Sequence, residues 1–293
     1  MNKRVSGAVA LAFATLTTSA SVLAQEAATA PAPEETGLFA TKNFSTTIWL
    51  TTDYMFRGIS NSDGPAIQGS LDWTYNGFYL GAWASNTEFS DSNFEIDYYG
   101  GYKWTWADIG FNVGGIYYTY PGEHKHLSEG FDPGSVLGPD ADYFEALIGA
   151  SYTFTNAPLA PSIGVQYNYS PDSFGSESDA HAVQGSLGFT LPYEIGLYGN
   201  VGYQEIEGDE ITGNAARNAG LWAPTPYHNG YDYVYFAVGL NKTVKGFKFD
   251  VSYQGTDEPR DLKDAYADIV LPGGGNPRDL IEGRVVFQVS RSF

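Results

Sequence analysis

The chain has 293 residues and no cysteine, it contains 35 glycines and 22 tyrosines, and its formal net charge is −19. So acidic a composition argues against nucleic acid as a partner, because phosphate binding requires clustered lysine and arginine. Abundant aromatic residues and glycines with modest overall hydropathy favour half-buried strands over membrane-spanning helices.

The first residues have the layout of an export signal. Two basic residues precede an apolar run of small residues, and Val22-Leu23-Ala24 comes directly before Gln25. This layout predicts a secretory signal peptide over residues 1–24. Residues 25–43 are rich in Ala, Pro and Glu without periodicity, so they are expected to form a flexible periplasmic leader. No later run approaches the roughly 18 apolar residues of a spanning helix, and a membrane protein without one must be a barrel.

From Phe44 onward, apolar and polar residues alternate in twelve segments. Strands of this kind present one face to lipid and the other to water. The predicted strands span residues 44–57, 66–75, 78–86, 94–105, 109–120, 143–154, 161–170, 181–191, 195–205, 231–243, 247–255 and 283–293. We therefore predict an all-β fold, a twelve-stranded antiparallel transmembrane β-barrel over residues 44–293.

The connections between these strands alternate in length. The odd-numbered connections, near residues 60, 90, 130, 175, 220 and 270, are the longer ones, and three of them are much longer. The even-numbered connections, near residues 76, 107, 156, 193 and 245, are short, and Asn76-Gly77 is a strong two-residue hairpin signal. Barrels of the outer membrane have short periplasmic turns and longer external loops, whereas a soluble sandwich has no reason to gather its long loops at one end. Aromatic residues flank both sets of connections, which predicts two girdles at the two membrane interfaces.

The last strand places four apolar residues on one parity, and they are Val285, Phe287, Val289 and Phe293. A strand that ends on a terminal aromatic resembles the closing strand of outer-membrane barrels, whose ending the barrel-assembly machinery reads. We therefore predict an assembly signal here, residence in the cell outer membrane, and contact with outer-membrane lipid and lipopolysaccharide. Arg291 shares the lipid-facing parity and is expected to snorkel to the periplasmic interface.

One stretch resembles a known family. It comprises residues 52–60 (Thr-Asp-Tyr-Met-Phe-Arg-Gly-Ile-Ser) and 63–73 (Asp-Gly-Pro-Ala-Ile-Gln-Gly-Ser-Leu-Asp-Trp), and the likeness continues through 77–86 and 95–102. The pattern is similar to that of the TorF-type porins, also described as Gcw_chp conserved hypothetical outer-membrane proteins of proteobacteria. The resemblance implies an outer-membrane barrel that acts as a porin. It implies no particular substrate and no catalytic residues.

If the apolar parity faces lipid, the opposite parity supplies the lumen. We predict pore-lining charges at Asp53, Arg57, Asp72, Glu95, Asp97, Lys103, Glu145, Lys248, Asp250, Glu282 and Arg284. Their acidic excess predicts a mild cation preference, unless the charges pair and brace the interior. Because the first and last strands must be neighbours in a closed barrel, Asp53 is expected near Arg284, and Arg57 near Glu282.

Several aromatic residues also fall on the inward parity. They are Trp49, Tyr79, Trp83, Tyr99, Tyr233 and Tyr235, and they would either offer a stacking surface to solutes or fill a narrow bore. The expected function is passive diffusion of small hydrophilic solutes. The alternatives are a structural or adhesive barrel with a plugged lumen, and a lipid-modifying enzyme. No histidine falls in the middle of a strand beside a serine, so we expect no enzyme, no cofactor and no metal site.

Overall fold

The computed structural model describes residues 37–88, 92–121, 142–173, 179–207, 230–267 and 276–293. The described strands are β1 (Phe44–Thr51), β2 (Met55–Phe56), β3 (Ile59–Ser60), β4 (Ala66–Tyr75), β5 (Phe78–Asn86), β6 (Phe94–Trp106), β7 (Ile109–Thr119), β8 (Tyr143–Thr153), β9 (Ser162–Ser170), β10 (Ala180–Leu191), β11 (Ile195–Ile206), β12 (Tyr231–Val244), β13 (Phe247–Thr256) and β14 (Arg284–Ser292). Helix α1 spans Arg260–Ala267, and short 3-10 helices span Thr41–Asn43, Pro192–Glu194 and Pro277–Ile281.

Twelve of these strands, all but β2 and β3, form one closed antiparallel barrel. Each pairs with its neighbour in the chain, and β1 closes the ring by pairing with both β4 and β14. The last residue takes part in the closure, because the Phe293 N–H donates to the Thr46 carbonyl at 2.9 Å and the Thr46 N–H donates to the Phe293 carbonyl oxygen at 3.2 Å. The predicted twelve-stranded antiparallel barrel is thus confirmed, and the chain ends beside the start of β1 as closure requires.

The predicted strand boundaries agree with the structure to within one residue for every barrel strand except the first. Local turn chemistry explains this agreement. In the hairpins at Asn76-Gly77 and Lys245-Gly246, both central residues have positive φ angles, 48° and 88° in the first and 51° and 80° in the second. Such turns match the twist of the flanking strands and fix their register.

The outer surface of the barrel is an apolar band. It carries exposed aliphatic side chains from strand after strand, among them Leu50, Ile67, Leu71, Leu80, Ile148, Val165, Val183, Leu187, Val201, Val238 and Val285. Exposed rings lie nearer the two ends, such as Trp104, Trp106, Phe154, Phe247 and Phe293 beside the short turns and Tyr117, Phe144, Tyr203 and Tyr253 beside the long connections. A closed sheet with this outer surface is built to cross lipid.

Arg291 is a cation on this outer parity, and the rings beside it explain how it is tolerated. Its guanidinium carbon lies 4.9 Å from the centroid of the Phe247 ring and 5.0 Å from that of Phe293. Both rings belong to the end of the barrel that carries the short turns. The arginine therefore lies within the aromatic girdle of that end, where a cation gains from the faces of the rings.

The first predicted strand is too long, and the difference is the main departure from the expected fold. Strand β1 ends at Thr51, whose hydroxyl donates to the Asp53 carbonyl at 2.7 Å and turns the chain. Thr52 still exchanges hydrogen bonds with Phe287 of β14. Residues 53–65 fold into the interior of the barrel, and we call them the inward segment. Within it, β2 and β3 form a small hairpin around Arg57 and Gly58, which have φ angles of 46° and 80°. Residues 53–57 are therefore not part of the wall, contrary to the prediction.

Residues 37–43, the last part of the predicted leader, are folded against β4. The Asn43 side-chain amide donates to the Gly37 carbonyl at 2.8 Å, and the Trp73 indole donates to the Leu38 carbonyl at 2.8 Å. The predicted signal peptide and the start of the leader lie outside the described residues. No helix within the described ranges is long and apolar enough to cross a membrane.

At the same depth in the membrane, we expect the inner and outer faces of the wall to differ in their tolerance of an added charge. Val201 and Asn200 are adjacent in β11; Val201 is exposed on the outer band, whereas Asn200 lines the interior. Val201→Arg should lower the free energy of unfolding in lipid vesicles by about 2–4 kcal/mol, because it places a cation in hydrocarbon. Asn200→Arg should cost clearly less. Equal losses in urea unfolding would contradict the assignment of the two faces.

Candidate functional site

The interior of the barrel divides into two parts. The inward segment joins β1 to β4 at the end with the long connections and occupies the bore there. Below it lies a cavity of about 580 Å3, lined by the underside of the segment and by polar side chains of the wall. Any path through the barrel therefore has to pass the inward segment.

A buried ion pair fixes the tip of the inward segment to the far wall. The Arg57 guanidinium donates to both carboxylate oxygens of Glu145 on β8, at 2.7 and 2.8 Å, and also to Gln204 on β11 at 2.7 Å. The two side chains are only 6% and 3% exposed. Glu145 accepts further hydrogen bonds from Tyr118 at 3.2 Å and Asn168 at 3.1 Å. A bidentate pair with all these partners is both strong and geometrically specific.

A second ion pair holds the base of the segment. Arg284, the first residue of β14, donates to Asp53 at 2.5 Å and to Asp63 at 3.1 Å. Asp53 also accepts from the Ser60 hydroxyl at 2.6 Å, which ties the start of the segment to its return strand. The expected proximity of Asp53 and Arg284 is confirmed. The expected proximity of Arg57 and Glu282 is wrong, because the chain turns inward before Arg57 and carries it to β8.

Apolar contacts fill the space around the hairpin. Ile59 packs in a buried cluster with Tyr233, Leu262 of α1, and Leu280 and Ile281. On the other side, the Phe56 ring meets the Tyr118 ring edge-on, with 5.8 Å between centroids. These contacts bury both faces of the hairpin, so it is an integral part of the interior rather than a loosely lying loop.

Glycine is required where the hairpin tip meets β13. A Cβ atom added to Gly58 would lie 2.4 Å from the carbonyl oxygen of Gly255, and the φ angle of Gly58, 80°, is one that residues with side chains rarely adopt. A side chain at this position would push the hairpin off the wall. Gly58, the residue after Arg57, therefore determines how closely the inward segment approaches the opposite strands.

Six charged side chains line the cavity, four of them acidic. The carboxylates belong to Asp53, Asp72, Asp97 and Asp250, and the cations to Arg57 and Lys248. Three of the carboxylates have partners. Asp53 pairs with Arg284, Asp72 accepts from Tyr99 and from Ser70 at 2.7 Å, and Asp250 accepts from Tyr198 at 2.9 Å. The lining therefore has an acidic excess, and Asp97 is its least compensated member.

Asp97 and its neighbour Glu95 project inward from β6, where both are almost fully buried. Glu95 accepts a hydrogen bond from the Tyr54 hydroxyl of the inward segment at 3.2 Å. Burial, together with these two carboxylates, raises the pKa of Tyr54 well above its ordinary value, so its hydroxyl stays a neutral donor. Within the described residues, Glu95 Oε2 and Asp97 Oδ1 have no hydrogen-bond partner.

The structure distributes the predicted lumen residues unevenly. All six predicted aromatic residues are buried, but only Trp49, Trp83, Tyr99 and Tyr235 line the cavity, while Tyr233 packs among apolar side chains and Tyr79 against other rings. Lys103 lies near the short-turn end with its ammonium group 4.6 Å from the centroid of the Tyr79 ring. Glu282 is exposed in the connection before β14, so its predicted place on the inner wall is wrong.

Sequence reasoning missed the part that the inward segment plays. The segment follows β1 with polar and apolar residues still alternating, so the pattern was indistinguishable from a longer strand. A local signal was nevertheless present, because Arg57-Gly58 and Asp63-Gly64 are both turn-forming dipeptides. No local signal identifies Glu145 and Gln204 as the partners of Arg57, or Tyr118 as the partner of Phe56, since these residues come from distant strands.

Loss of the buried pair should release the inward segment. Glu145→Gln removes the charge that compensates Arg57, and breaking a buried ion pair in this way costs about 3–5 kcal/mol. Trypsin should then cut the folded barrel after Arg57, and mass spectrometry should detect a new terminus at Gly58. Glu258→Gln is the matched control, because its partner Lys263 lies 3.2 Å away in an exposed pair worth less than about 1 kcal/mol. Equal resistance of the two variants to trypsin would contradict the conclusion that the Arg57–Glu145 pair anchors the inward segment.

Comparison with known proteins gives a family but no established activity. No curated protein matches the sequence. Among solved structures, the chain is similar to the KdgM porin in complex with disordered oligogalacturonate (10% identity, TM-score 0.46) and to the NanC porin (12% identity, TM-score 0.47), and in both cases 85% of this chain and 98% of the other is covered. At such low similarity these likenesses carry no conclusion about solute or mechanism. A family model described as "Bacterial protein of unknown function (Gcw_chp)" matches residues 35–293, so the chain belongs to the Gcw_chp family.

Proposed function

We propose that the protein is a porin-like channel of the bacterial outer membrane that passes small hydrophilic solutes. The observation that carries this proposal is the polar cavity of about 580 Å3 inside a barrel whose outer surface is apolar. Carboxylates, amides and hydroxyls within a lipid-facing wall are tolerated where water reaches them. The TorF-type porins that the sequence resembles would have the same activity.

The inward segment would set the size limit of this channel. It reaches from β1 to Glu145 on β8 and Gln204 on β11, and it meets Gly255 of β13 closely enough to exclude a side chain. A bore crossed in this way leaves room only beside the hairpin. We therefore expect small single-channel steps and exclusion of bulky solutes.

The charges of the cavity support a mild cation preference. Four carboxylates against two cations give the lining a negative potential, which raises the local concentration of cations and lowers that of anions. Asp72, Asp97 and Asp250 are the proposed pore-lining acids. Asp53 is neutralised by Arg284 and Glu145 by Arg57, so these two contribute less.

The second candidate is a structural or adhesive barrel with a plugged lumen. It is favoured by the depth at which the inward segment is held, since the Arg57 and Glu145 side chains are almost inaccessible to solvent and Ile59 is packed beneath α1. In that case the cavity would open only toward the end with the short turns. The two candidates differ in whether ions cross the barrel while the segment is in place.

The proposed place in the outer membrane also implies which partners the barrel contacts. The apolar band would contact outer-membrane lipid, with lipopolysaccharide at the end of the long connections. The exposed outward residues of β14, Val285 and Phe287, together with Val289 and the terminal Phe293, form the proposed signal for the barrel-assembly machinery. Export by the predicted signal peptide would deliver the chain to that machinery.

Conductance across a planar bilayer separates the two candidates. Thr51 and Ala66 are paired across β1 and β4, so a short Gly-Ser linker can replace residues 53–64 without disturbing the wall. The unmodified barrel should show small steps and the linker variant several-fold larger ones, with Glu258→Gln unchanged as the control. Steps in the variant alone would support the plugged barrel instead. Their absence from both folded proteins would exclude a channel.

The ion preference provides a separate prediction. Neutralising Asp72 and Asp250 by Asn should shift the reversal potential in a salt gradient toward anions, because both carboxylates line the cavity. The shift should shrink as salt rises, since mobile ions screen fixed charges within about 10 Å at 0.1 M. Glu258→Gln, outside the bore, should leave the potential unchanged. An unchanged potential in the Asp72 and Asp250 variants would show that permeating ions do not pass these residues.

A further inference from the structure

Strand β13 places two opposite charges next to each other on the wall of the cavity. Lys248 and Asp250 both line the cavity of about 580 Å3, and both are half-buried. Because they are two residues apart on one strand, their side chains leave the same face of the sheet about 7 Å apart. Within the described chain, the Lys248 ammonium group has neither a hydrogen bond nor an ion pair. The cation is therefore available to a solute in the cavity.

Tyr198 of β11 holds the Asp250 carboxylate in place. Its hydroxyl donates to Asp250 Oδ1 at 2.9 Å. To reach β13 the tyrosine crosses β12 at Gly239, where an added Cβ atom would lie 2.6 Å from Cζ of the ring. Glycine at this position therefore lets the ring lie across the wall. Only one carboxylate oxygen is used in this way, and Asp250 Oδ2 has no hydrogen bond within the described chain.

Neutral polar side chains flank the two charges. In the register of the sheet, Asp250 lies opposite Asn241 of β12 and Gln288 of β14, and both amides line the cavity. Neither side-chain amide has a hydrogen bond within the described residues. Lys248 lies opposite Ser290 of β14 in the same way. An amide offers a carbonyl oxygen to an ammonium group and N–H donors to a carboxylate, so these neighbours suit either charge.

A cation and an anion held apart on one face complement a solute that carries both charges itself. In an α-amino acid, the carboxylate and the ammonium group are attached to the same carbon atom. Such a solute can place its carboxylate at Lys248 and its ammonium group at Asp250 at the same time. Each contact is a charge-assisted hydrogen bond, which is stronger than a neutral one. A solute with a single charge can make only one of the two contacts.

The other charges of the cavity also favour a solute without net charge. Asp72 and Asp97 add negative potential to the lining, which opposes the entry of an anion. Lys248 itself repels a cation from the site. A zwitterion avoids both penalties. Lys103 does not offer a second site of this kind, because its ammonium group packs against the Tyr79 ring, 4.6 Å from the centroid.

We propose that Lys248 and Asp250 bind a small α-amino acid in its zwitterionic form. The Lys248 ammonium group donates to the carboxylate of the solute, and the ammonium group of the solute donates to Asp250 Oδ2. Asn241 and Gln288 supply further donors and acceptors, and the side chain of the solute lies in the open part of the cavity. This inference deepens the proposed function, because it names the solute class and rests on solutes reaching the cavity.

Four solutes of nearly equal size test the two charges separately. They are glycine, a zwitterion; glycinamide, a cation; glycolate, an anion; and glycolamide, which is uncharged. Saturation-transfer NMR on the full-length, detergent-folded protein measures their dissociation constants at about pH 6.5, where α-amino groups are charged. Glycine should bind most tightly and glycolamide least tightly. Glycinamide and glycolate should each bind about fivefold or more weakly than glycine, because each lacks one charge-assisted contact.

Substitutions of the two residues should affect different solutes. Lys248→Met should weaken the binding of glycine and glycolate by about fivefold or more and should not weaken that of glycinamide, which has no carboxylate. Asp250→Asn should weaken glycine and glycinamide by a similar factor and should not weaken glycolate. Lys245→Met is the matched control, because Lys245 is exposed in the hairpin that precedes β13. It should leave all four dissociation constants unchanged.

Asp72→Asn separates a defined site from a diffuse attraction to the cavity. It removes a carboxylate from the same lining and should change glycine binding by less than about twofold. A loss equal to that in Asp250→Asn would overturn the site. Equal binding of glycine and glycolamide, or no binding of glycine to the folded protein, would also overturn it. Conductance is measured in parallel. A barrel that conducts without binding glycine contradicts only the amino acid site, and one that binds glycine without conducting contradicts only the channel.

Discussion

The need to satisfy every backbone polar group in lipid is the constraint on which the rest of this structure depends. Water is absent from the hydrocarbon layer, so a strand with an unpaired edge would leave a row of costly donors and acceptors. The chain meets this need by pairing β1 with β14, down to the hydrogen bonds between Thr46 and Phe293. The number of strands in the closed ring then sets the width of the interior. The inward-facing residues of the twelve strands then have defined positions around one bore.

A fixed wall makes the inward segment possible. Arg57 can be held only because Glu145 and Gln204 are presented by strands β8 and β11 at set positions across the bore. Burial of a lone guanidinium would be prohibitive, whereas the bidentate pair with its extra hydrogen bonds makes it tolerable. Arg284 does the same at the base of the segment with Asp53. The two arginines therefore hold the tip and the base of the inward segment inside the bore.

Charge compensation inside the barrel is local and incomplete. Most inward carboxylates have an arginine or a tyrosine hydroxyl beside them, as Asp72 has Tyr99 and Asp250 has Tyr198. Glu95 follows this pattern through the Tyr54 hydroxyl, whereas Asp97 Oδ1 has no hydrogen-bond partner within the described residues.

The sequence by itself determined the barrel. Alternation with a period of two, turn dipeptides such as Asn76-Gly77 and Lys245-Gly246, and an apolar terminal strand are local properties, and they placed eleven strands to within a residue. Parity also identified which side chains point inward, because successive residues of a strand must face opposite sides. The expected proximity of Asp53 and Arg284 followed from the need for the first and last strands to be neighbours.

Only the tertiary structure decided where the first strand ends and what its continuation does. Residues 53–57 alternate as a strand would, yet hydrogen bonds from Thr51 and Ser60 turn them into the bore. The partner of Arg57 comes from a strand far away in the sequence, and Glu282, expected beside it, lies exposed before β14. A charged residue in a barrel has several candidate counter-ions around the wall, and local pattern does not rank them. The choice depends on which carboxylate lies at the right depth and distance once the ring has closed.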